Sequence, residues 1–115
     1  MNRELRDRWV RALRSGAFVQ GSTHLRKYVG GIDEFCCLGV LCEIEGSPTV
    51  HESAAANGIF KYIYDGDGNP PMFCVLNFPY MRRVGLSEVQ QDTLTSMNDQ
   101  GLSFDEIADW IEGNL

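Results

Sequence analysis

Four cysteines, Cys36, Cys37, Cys42 and Cys74, and two histidines, His24 and His51, are the side chains of this chain best suited to covalent or metal chemistry. A cysteine at a helix N-terminus has its thiolate favoured by the helix dipole. Cys36 and Cys37 stand where such a helix could begin. Gln20 lies upstream, as an oxyanion-hole donor would, and His24 or His51 could serve as the base. That is the outline of a cysteine hydrolase. The competing reading is that small, apolar-like thiols fill a tight core beside Gly39. The spacing matches no thiol-protease signature, so Cys36 and Cys37 stand only as weak candidates for catalysis.

The same six residues supply ligand types for zinc. Structural zinc sites use ligand pairs a few residues apart, and Cys-Cys-x4-Cys lacks that form. No metal and no other cofactor is therefore expected. Asp65-Gly66-Asp67-Gly68-Asn69 opens like a calcium loop, but Pro70 stands where glycine belongs and Leu76 where the closing glutamate belongs. A turn is expected there instead.

Charge is unevenly distributed. Residues 1–31 hold seven basic and two acidic side chains, and residues 84–115 hold seven acidic and none basic. The net charge is −6, which disfavours non-specific nucleic-acid binding. Such a dipole can orient encounters with a partner, or its ends can neutralise each other within the fold. Arg14, Gln20 and Arg26 could together hold a phosphate or carboxylate if the first helix and first strands converge. Trp110, with Asp105, Asp109 and Glu112 on the outer face of the last helix, could form a partner-binding surface.

These residues are positioned by a mixed set of elements. Asn2 can cap a first helix reaching Ser15, with Leu5, Trp9, Ala12 and Leu13 on one face and Arg3, Arg11 and Arg14 roughly opposite. Phe18-Val19-Gln20 and Leu25 to Val29 read as short strands. The apolar run from Phe35 to Ile44 reads as a buried helix with Asp33 as its cap, a buried strand being the alternative. Residues 49–58 read as a polar connection. Ile59 to Tyr64 and Met72 to Leu76 read as the strands of a hairpin. Pro79 suits a short helix ending at Gly85. Ser87-Glu88-Val89-Gln90 and Ser103-Phe104-Asp105-Glu106 are capping boxes that open two further helices, with Asn98-Asp99 joining them. The expected fold is α+β, one domain over 1–115. About four helices pack on a small antiparallel sheet with a 59–76 β-hairpin.

Three segments carry a resemblance. They are Trp9-Val10-Arg11-Ala12-Leu13-Arg14-Ser15-Gly16, the run Phe35 to Glu43, and Met97 to Ala108 with its Asn-Asp-x-Gly-x-Ser-Phe-x-Glu-Ile-Ala pattern. The chain resembles a family of small, uncharacterised bacteriophage and prophage proteins. The resemblance implies origin rather than chemistry, and an accessory phage protein of this size would commonly act on a host protein, often in counter-defence. With no secretory signal in residues 1–15 and no apolar run long enough to span a membrane, a cytoplasmic location and reduced cysteines are expected. The leading expectation is a non-enzymatic binder of a host factor. The alternatives are sequestration of a small, nucleotide-like anion and the cysteine hydrolase.

Overall fold

The computed structural model describes residues 1–46, 49–55, 58–64 and 73–115. The elements in chain order are α1 (Arg3–Arg14), β1 (Val19–Gln20), β2 (Arg26–Val29), β3 (Ile32–Phe35), α2 (Cys37–Glu45), β4 (Thr49–Ala55), β5 (Gly58–Tyr64), α3 (Phe78–Val84), α4 (Glu88–Asp99) and α5 (Phe104–Asn114). The α+β class is as expected from the sequence, with five helices among the described residues.

Local chemistry accounts for most helix boundaries. The Asn2 side chain accepts from the Leu5 N–H at 3.1 Å and starts α1. Both capping boxes form, Ser87 with Gln90 and Ser103 with Glu106. The apolar run is a helix, but its cap is Cys36 rather than Asp33. Asp33 lies inside β3, where both its carboxylate oxygens are held by Arg26, so it is not available to cap. Asn98 and Asp99 belong to the last turn of α4 and are not a linker.

The sheet order is β1-β3-β2-β5-β4. Gly30 and Gly31 both have positive φ, 58° and 83°, which gives the tight β2–β3 hairpin its two-residue turn. Val29 is consequently paired with Ile32. β1 runs parallel to β3, so the sheet is mixed and not wholly antiparallel. The second hairpin pairs β4 with β5 in register from Thr49↔Tyr64 to Ala55↔Gly58. The strand expected at 59–64 is therefore present, but its partner is the segment 49–55 that reads as a connection, not residues 72–76. Residues 73–76 form no strand. Their segment instead meets Leu25, whose N–H donates to Phe73 O at 2.7 Å. Asp65 to Met72 lie outside the described residues.

The helices form a layer in which α2 and α5 each pack on both α1 and α4. Trp9, Leu38, Leu41, Leu94, Ile107 and Ile111 are fully buried between them. Their apolar area is the main source of stability. Trp9 also donates its indole N–H to Cys37 O at 2.9 Å, so burying it leaves no unpaired donor. Gly39 allows α2 to cross the backbone of Leu25. A Cβ at that position would lie 1.7 Å from the Leu25 carbonyl oxygen.

Candidate functional site

The thiols occupy the core. Cys36, Cys37 and Cys42 are buried, and Cys74 is exposed. Burial pushes the Cys36 thiol up to about 11, although the Gly39 and Leu38 N–H groups at the start of α2 pull the other way. Burial likewise holds Cys37 and Cys42 well above the ordinary thiol range. Desolvation thus outweighs the helix dipole, and these thiols stay protonated near neutral pH. The Cys37 Sγ points at Leu94 O, 3.7 Å away, a carbonyl that cannot act as base. His24 sits with Nδ1 2.9 Å from Thr23 Oγ1, and burial lowers its pKa, followed by the charge of Lys27. His51 falls on β4, and its side chain lies outside the described residues. Among the described residues no three His, Cys, Asp or Glu side chains are grouped to hold a metal ion.

Gln20 is part of a polar knot. Its Nε2 donates to Leu102 O at 2.7 Å and to Asn98 Oδ1 at 3.2 Å, and its Oε1 accepts from the Phe104 N–H at 3.1 Å. Asn98 is almost fully buried. Its Oδ1 also accepts from the Cys37 N–H at 3.2 Å, and its Nδ2 donates to Gly21 O at 2.8 Å. Two amide side chains thereby satisfy the N-termini of α2 and α5 and tie both to β1. Asp99 adds a bond from the Thr23 N–H at 3.0 Å, steadying a residue with φ of 68°. Gln20, expected at a ligand site, is structural, and Asn98, expected to serve the join between two helices, bonds backbone groups far from it in sequence. The signal was there: Gln91, Leu94 and Asn98 share the inward stripe of α4.

Arg14, Gln20 and Arg26 do not form one anion cradle, because each is engaged elsewhere. Arg14 Nη2 lies 2.6 Å from both Asp109 Oδ1 and Glu112 Oε1 of α5. Arg26 holds Asp33 through two parallel bonds of 3.0 and 2.6 Å, reaches Glu43 at 3.3 Å, and lies over the Phe35 ring. The basic start and acidic end of the chain therefore neutralise each other in part where α1 packs on α5. Of the residues expected at a partner surface, Asp109 and Glu112 are the acids that Arg14 binds. Trp110 is half-buried against the core, and Asp105 is exposed.

Among the described residues the exposed large apolar side chains are Val19, Tyr28, Val29, Ile32 and Ile59 on the sheet and Phe78 and Val89 on helices. Cross-strand register places Val19, Lys27, Val29, Ile32 and Glu34 on one face. The opposite face carries Phe35 and Arg26, which reaches Glu43 of α2, together with the exposed pair Tyr28 and Ile59. Val19 is 51% exposed and Ile32 is 52% exposed. Lys27 and Glu34 lie between them at 4.0 Å, so the patch has no net charge.

The family model for Domain of unknown function (DUF8296) matches residues 1–115. The chain belongs to that family. No curated protein and no solved structure matches the DUF8296 chain. No helix among the described residues is long and apolar enough to cross a membrane.

Proposed function

We propose that this DUF8296 chain is a non-catalytic accessory protein of phage or prophage type, acting in the bacterial cytoplasm by binding a host protein. The observation that supports this most is the outward apolar face of the sheet, with Val19 and Ile32 each about half exposed beside Val29. A patch of adjacent branched apolar side chains favours a partner surface over bulk water. Burying the exposed halves of two such side chains contributes about 2 kcal/mol, or roughly 30-fold in affinity. The protonated core thiols weigh against hydrolase chemistry, and the ion-paired arginines weigh against an anion site built from Arg14, Gln20 and Arg26. Blunting of a host defence is the role this reading carries.

The test is affinity capture from bacterial lysate with the wild type and with Val19→Asp/Ile32→Asp. Both positions are exposed, so the variant should keep its near-ultraviolet circular dichroism. The expected result is one dominant protein captured by the wild type and reduced at least about tenfold by the variant. Capture of no specific protein, or equal capture by both, would overturn the reading.

A further inference from the structure

A groove of about 410 Å³ lies where the second half of α1 meets the C-terminal end of α2. Its floor is apolar, formed by Ala12, Phe18 and Ile44, which pack onto the core from its margin. Its rim is basic, formed by Arg8 and Arg11. Arg8 is held at the mouth by donating to Ile44 O at 2.5 Å. Arg14, one turn further along α1, has two carboxylate partners. Among the described residues neither Arg8 nor Arg11 lies within 4 Å of a carboxylate oxygen.

Side chains of complementary chemistry are on the same molecule. Val89, in the first turn of α4, is 74% exposed, more than any other large apolar side chain among the described residues. Glu88 precedes it, and Asp92 follows one turn later on the same side of the helix. Both acids are exposed, and neither is ion-paired among the described residues. An apolar knob flanked by two carboxylates matches an apolar floor flanked by two guanidinium groups. The start of α4 lies near Met1, against which Gly85 packs, and Arg11 stands about 15 Å further along at about 1.5 Å per residue, so Val89 meets the groove of another copy.

We propose that copies of this chain associate head to tail, with Val89 of one copy in the Arg8–Arg11 groove of the next and Glu88 and Asp92 paired with its arginines. The contact is heterologous, so repeating it builds a ring or a short filament. It uses α1 and α4 and leaves the sheet face free. It is therefore independent of the host-protein reading and can fail without it.

The test is light scattering coupled to size exclusion, over a concentration series of the full chain. The wild type is expected to rise above the mass of one chain with concentration. Arg8→Glu/Arg11→Glu alone and Glu88→Arg/Asp92→Arg alone should each shift that rise at least about tenfold upward in concentration. All four positions are exposed and Arg8→Glu gives up one surface bond, to Ile44 O, so circular dichroism should show the helices retained. An equimolar mixture of the two variants restores opposite charges at every contact and should regain assembly. A wild type that stays at the mass of one chain up to about 1 mM overturns the proposal. Assembly that survives Arg8→Glu/Arg11→Glu, or a mixture that stays unassembled, overturns it too.

Discussion

Replacing Asn98 with alanine removes the side chain that joins three elements. The Cys37 N–H loses its acceptor in a fully buried position. An orphaned buried donor costs about 1–3 kcal/mol. The Gly21 carbonyl loses its donor but is only half-buried and can turn to water, at about 0.5–1.5 kcal/mol. Gln20 Nε2 keeps its bond to Leu102 O and contributes little. The expected loss is therefore about 2–4 kcal/mol, a large part of the stability of a domain this size. At about 4 °C per kcal/mol the melting temperature falls by roughly 8–16 °C. Urea unfolding followed by tryptophan fluorescence reads it directly, since Trp9 is fully buried beside Cys37. Gln20→Ala supplies the control. The two side chains share one network, so the double variant should be less destabilised than the sum of the singles, by about 0.5–3 kcal/mol. A loss below about 1 kcal/mol for Asn98→Ala, or strict additivity with Gln20→Ala, refutes the hub.

Three further outcomes follow from the core. Gly39→Ala should cost about 3 kcal/mol or more, because the new methyl meets the Leu25 carbonyl, a backbone group that cannot rotate away; an unchanged urea midpoint would contradict that crossing. Ellman's reagent at pH 8 should find one fast thiol, Cys74, in the native protein and four in denaturant; a second fast thiol would show that the α2 cysteines are reachable. Above about pH 9 the unfolded chain releases thiol protons that folded Cys36, Cys37 and Cys42 retain. The unfolded state then binds fewer protons, so stability falls as pH rises, by up to about 1.4 kcal/mol per pH unit for each thiol. The Cys36 share ends near pH 11, so Cys36→Ala should give a shallower alkaline decline between 9 and 11. A slope identical to the wild type would mean that Cys36 titrates alike in both states.

Helix starts were legible because capping is local. Asn2, Ser87 and Ser103 each bond a backbone N–H within the next three residues, so a few adjacent letters determine the outcome. Strands were harder. Ile32-Asp33-Glu34-Phe35 carries two acids that disguise a strand, and those acids are answered from β2 by Arg26 and Lys27. Thr49 to Ala55 is polar and alanine-rich, whereas residues 72–76 are more apolar, yet it is 49–55 that pairs with β5. Pairing is decided by what lies alongside, and strand preference is largely context of that kind. The site followed the same logic. Arg14 has the residue type of an anion ligand, but its partners are 95 and 98 positions away. No local pattern distinguishes an arginine that awaits a phosphate from one already clasped by another helix.

With the thiols protonated and Arg14 and Arg26 engaged, the two proposed contact surfaces differ in electrostatics. The sheet face places Val19, Val29 and Ile32 around the Lys27–Glu34 pair, whose charges cancel locally. In the proposed host complex the attraction would come from apolar area, which salt does not screen. Val89 stands beside Glu88 and Asp92, and the groove it fits is rimmed by Arg8 and Arg11. Those charges are exposed, so their attraction weakens as the Debye length shrinks from about 10 Å at 0.1 M to about 3 Å at 1 M salt. Raising sodium chloride over that range should therefore dissociate copies of the chain while leaving a captured host protein in place. Loss of the captured protein at high salt, with self-assembly intact, would mean that the two surfaces had been assigned the wrong way round.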